Sequence, residues 1–384
     1  MQLVRNDAPR VTVLRSLKSW IQEGRLSEGD ALPSERELAG QFRVNRAAVR
    51  WALQALKQEQ LIRYQGMRTR VVSARGASLR CDPLLEQAMV VLSSCSIPAG
   101  SDYYDPAKIV WSEGVVRGAM QSVVDAGSHL FVLPDEHIAG AFTDRVLASK
   151  PLGLIVPGVW PAARPAVMQL LRKADERKIR SVVYGDESEF ASYDRVMSDH
   201  EAGAYELARW LIGKGYRRIL NVWPSPADDY WYPERLAGYR RAMAEANLEA
   251  LKPVLVPVLH RSFSPDAFQN QARIFAGYIV EHIVGPQSVD ALMACSDSLA
   301  YCVAAACRLC GKKPNTDVAI VGYDDYWDRS PEQEYEIGPM ATVDKHNWDA
   351  GQELFRLLTA RLNNELPEQP QCRVIAPSLV VTGQ

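Results

Sequence analysis

No segment of the sequence is apolar enough for a membrane span or an export signal. Arg5, Asp7 and Arg10 interrupt the region where a signal peptide needs an unbroken apolar stretch. No other window approaches the ~18 uncharged apolar residues that a transmembrane helix requires. We therefore expect a cytoplasmic protein that does not associate with a membrane.

The cysteines do not form the pattern that a disulfide framework requires. There are seven of them, an odd number at irregular spacing. Cys307 and Cys310 form a single C-x-x-C in an alanine-rich stretch that is predicted to be helical, without a second pair or a nearby histidine. Small buried residues on one helix face explain them better than a metal site does. We expect no bound metal.

Motifs of nucleotide chemistry and catalysis are missing as well. Gly213-Lys214-Gly215 lacks the upstream glycine of a P-loop and follows a predicted helix, and no G-x-G-x-x-G follows a strand. The six histidines are dispersed, and His200 is predicted to lie beside a cleft and not in a catalytic pair. The sequence therefore predicts a protein that is not an enzyme and that needs no cofactor.

The chain is long enough for several domains, and its charge is unevenly distributed. A length of 384 residues exceeds what one hydrophobic core usually serves. Residues 1–75 hold 14 Lys and Arg against 7 Asp and Glu, whereas the remaining residues hold 30 against 39. A small basic unit joined to a larger acidic one is expected when only one of them meets phosphate, although chance drift in surface charge is the alternative.

The basic unit has the pattern of three helices followed by a hairpin. Apolar residues recur at helical spacing over 11–21. Pro33, Ser34 and Glu37 form a capping box before a short helix over 35–42, and Asn45 can cap a third helix. A two-stranded hairpin is predicted between residues 61 and 72. This order is typical of a winged helix-turn-helix.

Arginines of the third helix are the first candidates for DNA contact. Arg46 and Arg50 are four residues apart and therefore share one helical face. Arg36 and Arg43 lie close enough in sequence to reach the DNA backbone. Any one of these arginines alone would be explained as a solvated surface charge. Four of them within this pattern favour DNA binding.

Two runs within residues 27–71 carry a resemblance to a known family: Leu32-Pro33-Ser34-Glu35-Arg36-Glu37-Leu38-Ala39 and Val44-Asn45-Arg46-Ala47-Ala48-Val49-Arg50-Trp51-Ala52-Leu53. They closely resemble the DNA-binding domain of GntR-family bacterial regulators. The resemblance implies that Arg36, Arg46 and Arg50 contact DNA and that Gly66 approaches the minor groove. In the wing, Arg68 stands where the family usually has a second glycine. The expected DNA contacts are Arg36, Arg43, Asn45, Arg46, Arg50, Gly66 and Arg68.

The rest of the chain alternates predicted strands and helices. Residues 73–84 lack apolar periodicity and read as a linker between domains at 1–72 and 85–384. The predicted strands cover 88–92, 130–133, 153–156, 181–184, 219–223, 254–258, 291–295 and 318–321. The predicted helices cover 110–126, 165–178, 201–212, 235–246, 268–284 and 298–310. This alternation predicts an α/β domain of two lobes, each a doubly wound parallel sheet.

Polar residues that follow these strands are the candidate ligand contacts. Asp135, Asp297 and Asp324 each come after a strand, and Arg235 lies beside Trp231. Parallel sheets bind ligands outside the carboxyl ends of their strands. Carboxylates and an arginine can bond vicinal hydroxyls while an indole stacks on the ring, which is the chemistry of sugar recognition. For Asp297, a helix N-cap is an equally good explanation.

Five short motifs carry a second resemblance, over about residues 86–382: Asp199-His200-Glu201-Ala202-Gly203-Ala204, Gly215-Tyr216-Arg217-Arg218-Ile219, Arg235-Leu236-Ala237-Gly238-Tyr239, Ser296-Asp297, and Asp317-Val318-Ala319-Ile320-Val321-Gly322-Tyr323-Asp324-Asp325. They resemble the effector domain of LacI/GalR-family regulators and of periplasmic sugar-binding proteins. The resemblance implies effector contacts at Arg235, Asp324, Ser296 and Asp199, and a further one at Lys345. The family usually has Asn where Ser296 stands, and the 94–108 loop is long. The expected effector contacts are Asp135, Asp199, Trp231, Arg235, Ser296, Asp297, Asp324 and Lys345.

Together these features predict a DNA-binding transcription regulator that responds to a small sugar. By the resemblance it acts as a repressor, on double-stranded operator DNA and as a homodimer. The alternatives are a solute-binding or sensor protein and an activator with a non-sugar effector. The identity of the sugar and the sign of its effect stay open at this point.

Overall fold

The fold comes from a computed structural model of the chain. It describes residues 8–22, 25–65, 69–73, 83–93, 106–134, 138, 140–159, 163–225, 230–258 and 265–382. The N-terminal unit has three helices and a hairpin: α1 (Ala8–Gln22), α2 (Glu35–Phe42), α3 (Arg46–Gln58), β1 (Ile62–Gln65) and β2 (Thr69–Val72). The predicted winged helix-turn-helix is confirmed.

Local capping interactions set the helix boundaries of this unit. Ser34 and Glu37 form the capping box at the start of α2, and the Asn45 side chain accepts a hydrogen bond at the start of α3. Arg43, at a φ of 52°, ends α2 in the left-handed conformation. The three helices and the hairpin bury one common core that includes Leu17 and Leu53. The domain therefore has a core of its own.

The first lobe is a six-stranded sheet in which every pair of neighbouring strands is parallel. Its strands are β3 (Ala88–Ser93), β4 (His129–Pro134), β5 (Gly153–Val156), β6 (Arg180–Tyr184), β7 (Asp194–Ser198) and β13 (Cys372–Ile375), in the order β13-β7-β6-β5-β3-β4. One face carries α5 (Pro106–Asp125) and α12 (Asn347–Leu362), and the other carries α6 (Ala141–Ala148) and α7 (Arg164–Glu176). A short helix, α4 (Pro83–Glu86), precedes β3.

The second lobe is built in the same way around a four-stranded parallel sheet. Its strands are β8 (Ile219–Ser225), β9 (Val254–Pro257), β10 (Ala291–Ala294) and β11 (Ala319–Val321), in the order β11-β10-β8-β9. One face carries α8 (His200–Gly213) and α9 (Trp231–Glu245), and the other α10 (Pro265–Ile283) and α11 (Asp297–Leu309). An antiparallel pair, β12 (Ala341–Asp344) and β14 (Ser378–Val381), adjoins α8. Two doubly wound lobes are confirmed.

The chain crosses between the lobes at three places. It passes from β7 to α8, from β12 to α12, and from β13 to β14, and the elements of each pair belong to different lobes. Parallel strands present their carboxyl ends along one edge of each sheet. The crossings therefore bring the edges where β6, β7, β10 and β11 end close to one another.

Several elements were absent from the sequence-based prediction. It omitted β7, β12, β13, β14, α4, α6 and α12. Because β13 is an exposed edge strand, it lacks the alternation of buried and exposed residues that predicts a strand. The strand β7 begins with a charged residue, Asp194, which is ion-paired with Arg361. Residues 83 and 84, predicted as linker, begin α4, while 74–82 lie outside the described residues. The division at 72 and 85 otherwise stays a prediction.

Candidate effector cleft and DNA-binding surface

Arg235 is the central side chain of the cleft between the lobes. Its Nη1 donates to the carbonyl of Cys295 at 2.7 Å, and its Nε donates to Nδ1 of His200 at 3.4 Å. Its guanidinium carbon lies 3.4 Å from the ring centroid of Tyr323 and 4.5 Å from that of Trp231. Because α9 begins at Trp231, Arg235 occupies the second turn, not the opening position that the sequence suggested. These contacts hold the Arg235 side chain in one buried position.

Asp324 and Lys345 form a buried ion pair next to this arginine. Lys345 Nζ lies 2.8 Å from Asp324 Oδ1, and Arg235 Nη2 lies 3.7 Å from the same oxygen. Burial lowers the pKa of Lys345, while the charge of Asp324 opposes that shift. Asp324 follows β11 and Lys345 follows β12, at the crossing into α12. The pair therefore fastens the crossing segment to the second lobe.

His200 lies in the same cluster as a neutral side chain. Burial lowers its pKa well below the usual value, and the charges of Arg235 and Lys345 lower it further. Since Nδ1 accepts the hydrogen bond from Arg235, the proton of the neutral ring is on Nε2. The buried His200 ring orients Arg235 through this hydrogen bond and does not act as an acid or a base.

The first lobe contributes Tyr184 to the cluster. Its hydroxyl lies 2.8 Å from the Ser198 hydroxyl, at the ends of β6 and β7. Burial raises the pKa of Tyr184 to about 12; the charge of Asp324 raises this pKa further, and the charge of Arg235 lowers it. These two charges belong to the second lobe. The carboxyl ends of the two sheets therefore meet at one site.

An acidic side chain, Glu234, lies beside Arg235 on α9. Burial raises the pKa of Glu234 to about 7, and the charges of Asp186 and Asp199 add to the shift, whereas Arg235 opposes it. Its Oε2 is buried, and none of the described residues forms a hydrogen bond with it. Asp186 follows β6 in the first lobe. Glu234 thus leaves one oxygen open to a ligand, whereas Asp186 already accepts a hydrogen bond from Arg195 at 2.8 Å.

Aromatic rings cover one side of the cleft. Trp223 contacts Tyr232 edge-on at 4.4 Å and Trp231 edge-on at 6.2 Å between ring centroids. Trp223 is buried, whereas Trp231 and Tyr232 are partly exposed. Partly exposed rings beside carboxylates suit the apolar face of a pyranose or furanose ring.

Three of the sequence-predicted effector residues hold helix starts or internal contacts. Asp199 and Ser296 are the N-caps of α8 and α11. Asp297 is fully buried, and its two oxygens accept from the Thr342 hydroxyl at 2.7 Å and from the Tyr326 amide at 2.8 Å. Ser296, and not Asp297, caps α11, so the alternative of an N-cap at Asp297 is wrong; its carboxylate instead bonds segments that follow β11 and lie in β12. Asp135 lies outside the described residues.

The sequence reasoning missed four members of the cluster: Tyr184, Glu234, Tyr323 and the Cys295 carbonyl. Tyr184 and Tyr323 each stand at or just after the end of an apolar strand, so the strand-end rule could have found them. Glu234 directly precedes Arg235, which makes a shared site plausible from sequence alone. The backbone carbonyl gave no signal, because every residue has one.

Four of the DNA-binding candidates are exposed arginines of the N-terminal domain. Arg46 and Arg50 are exposed on α3, while its other face, with Val49 and Leu53, packs into the core. Asn45 accepts a hydrogen bond from the Ala48 amide at 2.9 Å, so its oxygen is engaged in capping. Arg36 and Arg43 are also exposed. Gly66 and Arg68 lie outside the described residues.

The described residues hold neither a membrane-spanning helix nor a cluster of metal ligands. None of the described helices is both long and apolar enough to span a membrane. Within the same part of the chain, no group of three or more His, Cys, Asp or Glu side chains could hold a metal ion. Cys307 is buried and Cys310 is half-buried at the end of α11.

Family comparisons agree with both halves of this description. Residues 9–72 match the family of bacterial regulatory proteins, gntR family, and residues 208–383 match the periplasmic binding protein-like domain. The two ends of the chain are thus similar to two different families, one of DNA-binding domains and one of ligand-binding domains. The second match, over residues 208–383, covers most of the second lobe together with α12 and β13 of the first lobe. The rest of the first lobe is likewise built around a parallel sheet with helices on both faces.

Individual relatives are transcription regulators. The HTH-type transcriptional regulator CelR of Thermobifida fusca is 32% identical over 44% of this chain and 46% of its own length. The arabinose metabolism transcriptional repressor of Geobacillus stearothermophilus is 24% identical over 81% of this chain and 80% of its own length. A solved transcriptional regulator CelR-cellobiose complex has a TM-score of 0.56 at 21% identity, over 91% of this chain and 99% of that one. The chain thus spans less than half the length of the first of these relatives.

Proposed function

We propose that the protein is a transcription repressor whose affinity for operator DNA is controlled by a small sugar. The observation that carries the proposal is the Arg235 cluster, which lies between two lobes in a chain that also exposes Arg46 and Arg50 on a recognition helix. Relatives named as regulators and repressors support the DNA half, and the cellobiose complex of CelR supports the sugar half.

The cleft chemistry favours an uncharged, polyhydroxylated effector. Both cations, Arg235 and Lys345, already face Asp324, whereas Glu234 has an oxygen to offer. Hydroxyl groups can donate to Asp324 and Glu234 while a ring stacks against Trp231. An anionic ligand would approach several carboxylates without a spare cation among the described cleft residues. The proposed contacts are therefore Trp231, Glu234, Arg235, Asp324 and Lys345. Asp199 and Ser296, which cap α8 and α11, and Asp135, which lies outside the described residues, stay candidates from the sequence alone.

The DNA contacts follow from the exposed face of α3. In this proposal Arg46 and Arg50 enter the major groove, and Arg36 and Arg43 bond the DNA backbone. Gly66 and Arg68, which lie outside the described residues, are proposed as further contacts from the sequence. Asn45 acts by capping α3. A homodimer would place two such heads on a two-fold operator. When the lobes close around the sugar, the three segments that cross between the lobes change their conformation. This change alters the distance between the two DNA-binding domains of the dimer.

A sugar screen followed by a DNA titration tests the proposal. Thermal shift against common pentoses, hexoses and disaccharides identifies the effector, because ligand at ~100 times its Kd stabilises by about 2.7 kcal/mol. The intact chain is then titrated with DNA fragments enriched from a randomised pool, with and without that sugar. We expect the sugar to weaken binding. Binding to DNA that no stabilising ligand changes would contradict the proposal.

A further inference from the structure

A basic groove lies between α3 and the β1–β2 hairpin of the N-terminal domain. It has a volume of about 430 Å³. Four cations line it, namely Arg50, Lys57, Arg63 and Arg70, together with a single acid, Glu35. A groove of this composition attracts the phosphate backbone of DNA. Attraction to DNA does not explain why the negatively charged Glu35 lies in this groove.

Glu35 holds two of the four cations. Its Oε1 lies 2.8 Å from Arg70 Nη2, and its Oε2 lies 3.2 Å from Arg50 Nη2. Glu35 is the first residue of α2, so its carboxylate projects from a helix start that favours negative charge. Its pKa is lowered because the two hydrogen bonds from the arginines outweigh the opposing effect of burial. The carboxylate is therefore ionised and bonds both arginines at once.

The two arginines differ in how firmly they are held. Arg70 also donates from Nε to the Tyr64 hydroxyl at 3.3 Å, and its side chain is 23% exposed. Arg50 has a side chain that is 68% exposed, and Glu35 is its ion-pair partner in the groove. Lys57 Nζ lies 5.0 Å from the centroid of the Tyr64 ring. Arg50 can leave Glu35 readily, whereas Arg70 is anchored at two points.

We propose that Glu35 competes with DNA phosphate for Arg50 and Arg70 and thereby sets the sequence discrimination of the domain. The inference rests on the proposed DNA-binding function. On an arbitrary duplex, the two arginines gain phosphate contacts only by giving up Glu35. On the operator, Arg50 also gains base-edge acceptors, which repay the lost contact. Glu35 thus weakens non-specific binding more than specific binding.

The test compares full-length wild type with Glu35→Gln on two DNA duplexes. One is a 30-bp duplex of arbitrary sequence, and the other is a 30-bp duplex enriched from a randomised pool by the wild-type chain (lengths of about three helical turns). Kd is measured over a series of salt concentrations. We expect Glu35→Gln to bind the arbitrary duplex about 10-fold more tightly, the scale of one charge-assisted hydrogen bond. We also expect its salt slope to steepen by ~0.9 for each phosphate gained.

Glu59→Gln is the matched control. It removes the same charge from the same domain and releases Lys18, which pairs with Glu59 at 2.6 Å, but it leaves the groove intact. If both variants tighten non-specific binding equally, net charge alone explains the effect and the proposal is overturned. If Glu35→Gln weakens both duplexes in proportion, Glu35 is itself a reader or a structural residue, and the proposal is likewise overturned.

A second variant pair separates the release of the two arginines from the loss of the Glu35 charge itself. In a chain carrying Arg50→Ala and Arg70→Ala, the change Glu35→Gln should leave the affinity for the arbitrary duplex unchanged, because neither of the arginines that Glu35 binds is present. A tightening that persists in this background would overturn the role of Glu35. A wild-type chain that binds the enriched and arbitrary duplexes alike would instead overturn the DNA-binding function on which the inference rests.

Discussion

Replacing Asp324 by Asn should lower both the stability of the fold and the affinity for the effector. The change keeps the side-chain shape, and Asn tolerates the left-handed backbone, since Asp324 has a φ of 93°. It removes the charge that faces Lys345 at 2.8 Å, in a pair whose side chains are only 6% and 8% exposed. Breaking a buried pair in this way costs about 3–5 kcal/mol of unfolding free energy.

The loss of stability should depend on pH in a defined direction. Burial lowers the pKa of Lys345 below that of the unfolded chain, and without Asp324 the shift becomes larger. Between the folded and the unfolded pKa, the unfolded state binds more protons, so stability rises with pH. Urea unfolding should therefore show a smaller defect for Asp324→Asn at pH 9 than at pH 6.

Effector affinity should fall by a separate amount. A hydrogen bond to a charged acceptor contributes about 1.5–3 kcal/mol, which is roughly 10- to 150-fold in Kd by calorimetry. Lys345→Met added to Asp324→Asn should restore stability but not affinity. Asp328→Asn, an exposed change just beyond the same loop, is the control and should alter neither quantity. Unchanged affinity in Asp324→Asn, or a stability loss no larger than that of the control, would refute the reasoning.

Three further predictions follow from other contacts. Arg46→Ala and Arg50→Ala should each weaken operator binding by about 1–3 kcal/mol in a fluorescence titration; wild-type affinity in both folded variants would exclude α3 as the reader. Gly238→Ala would force a Cβ against the Glu201 carbonyl oxygen, so it should lower the free energy of unfolding by about 3 kcal/mol or more, whereas Gly213→Ala, which meets no described atom within 4 Å, should not. Glu234 has a folded pKa of about 7 against a usual 4.5, so the folded state binds more protons between these values and stability falls as pH rises through them. Glu234→Gln should flatten that fall in urea unfolding at pH 5 and pH 7.5; an unchanged slope would contradict the assignment.

The sequence predicted those features that depend on local signals. Ser34 and Asn45 marked the starts of α2 and α3 because capping is a short-range interaction. The position of Asp324 at the edge of the second sheet was predictable because it comes after an apolar strand, whereas Arg235 was selected from its position beside Trp231.

The missing parts depend on contacts between distant segments. Asp297 was a candidate ligand contact until the fold placed Thr342 and Tyr326 against its carboxylate. Tyr184 reaches the second lobe only because the chain crosses between the lobes three times. Likewise, the pairing of Glu35 with Arg70 joins positions 35 residues apart, which helical periodicity does not reveal.

The most direct test of the central claim is the coupling between the cleft and the DNA-binding surface. Operator affinity of the intact chain is measured without sugar and with the identified sugar at saturation, in wild type and in Arg235→Ala. The account predicts a coupling of about 1–3 kcal/mol, roughly 5- to 150-fold weaker operator binding with sugar, in wild type. It predicts no sugar response in Arg235→Ala, whose sugar-free operator affinity should match wild type. An operator affinity that saturating sugar leaves unchanged in wild type, or a full response in Arg235→Ala, would contradict it.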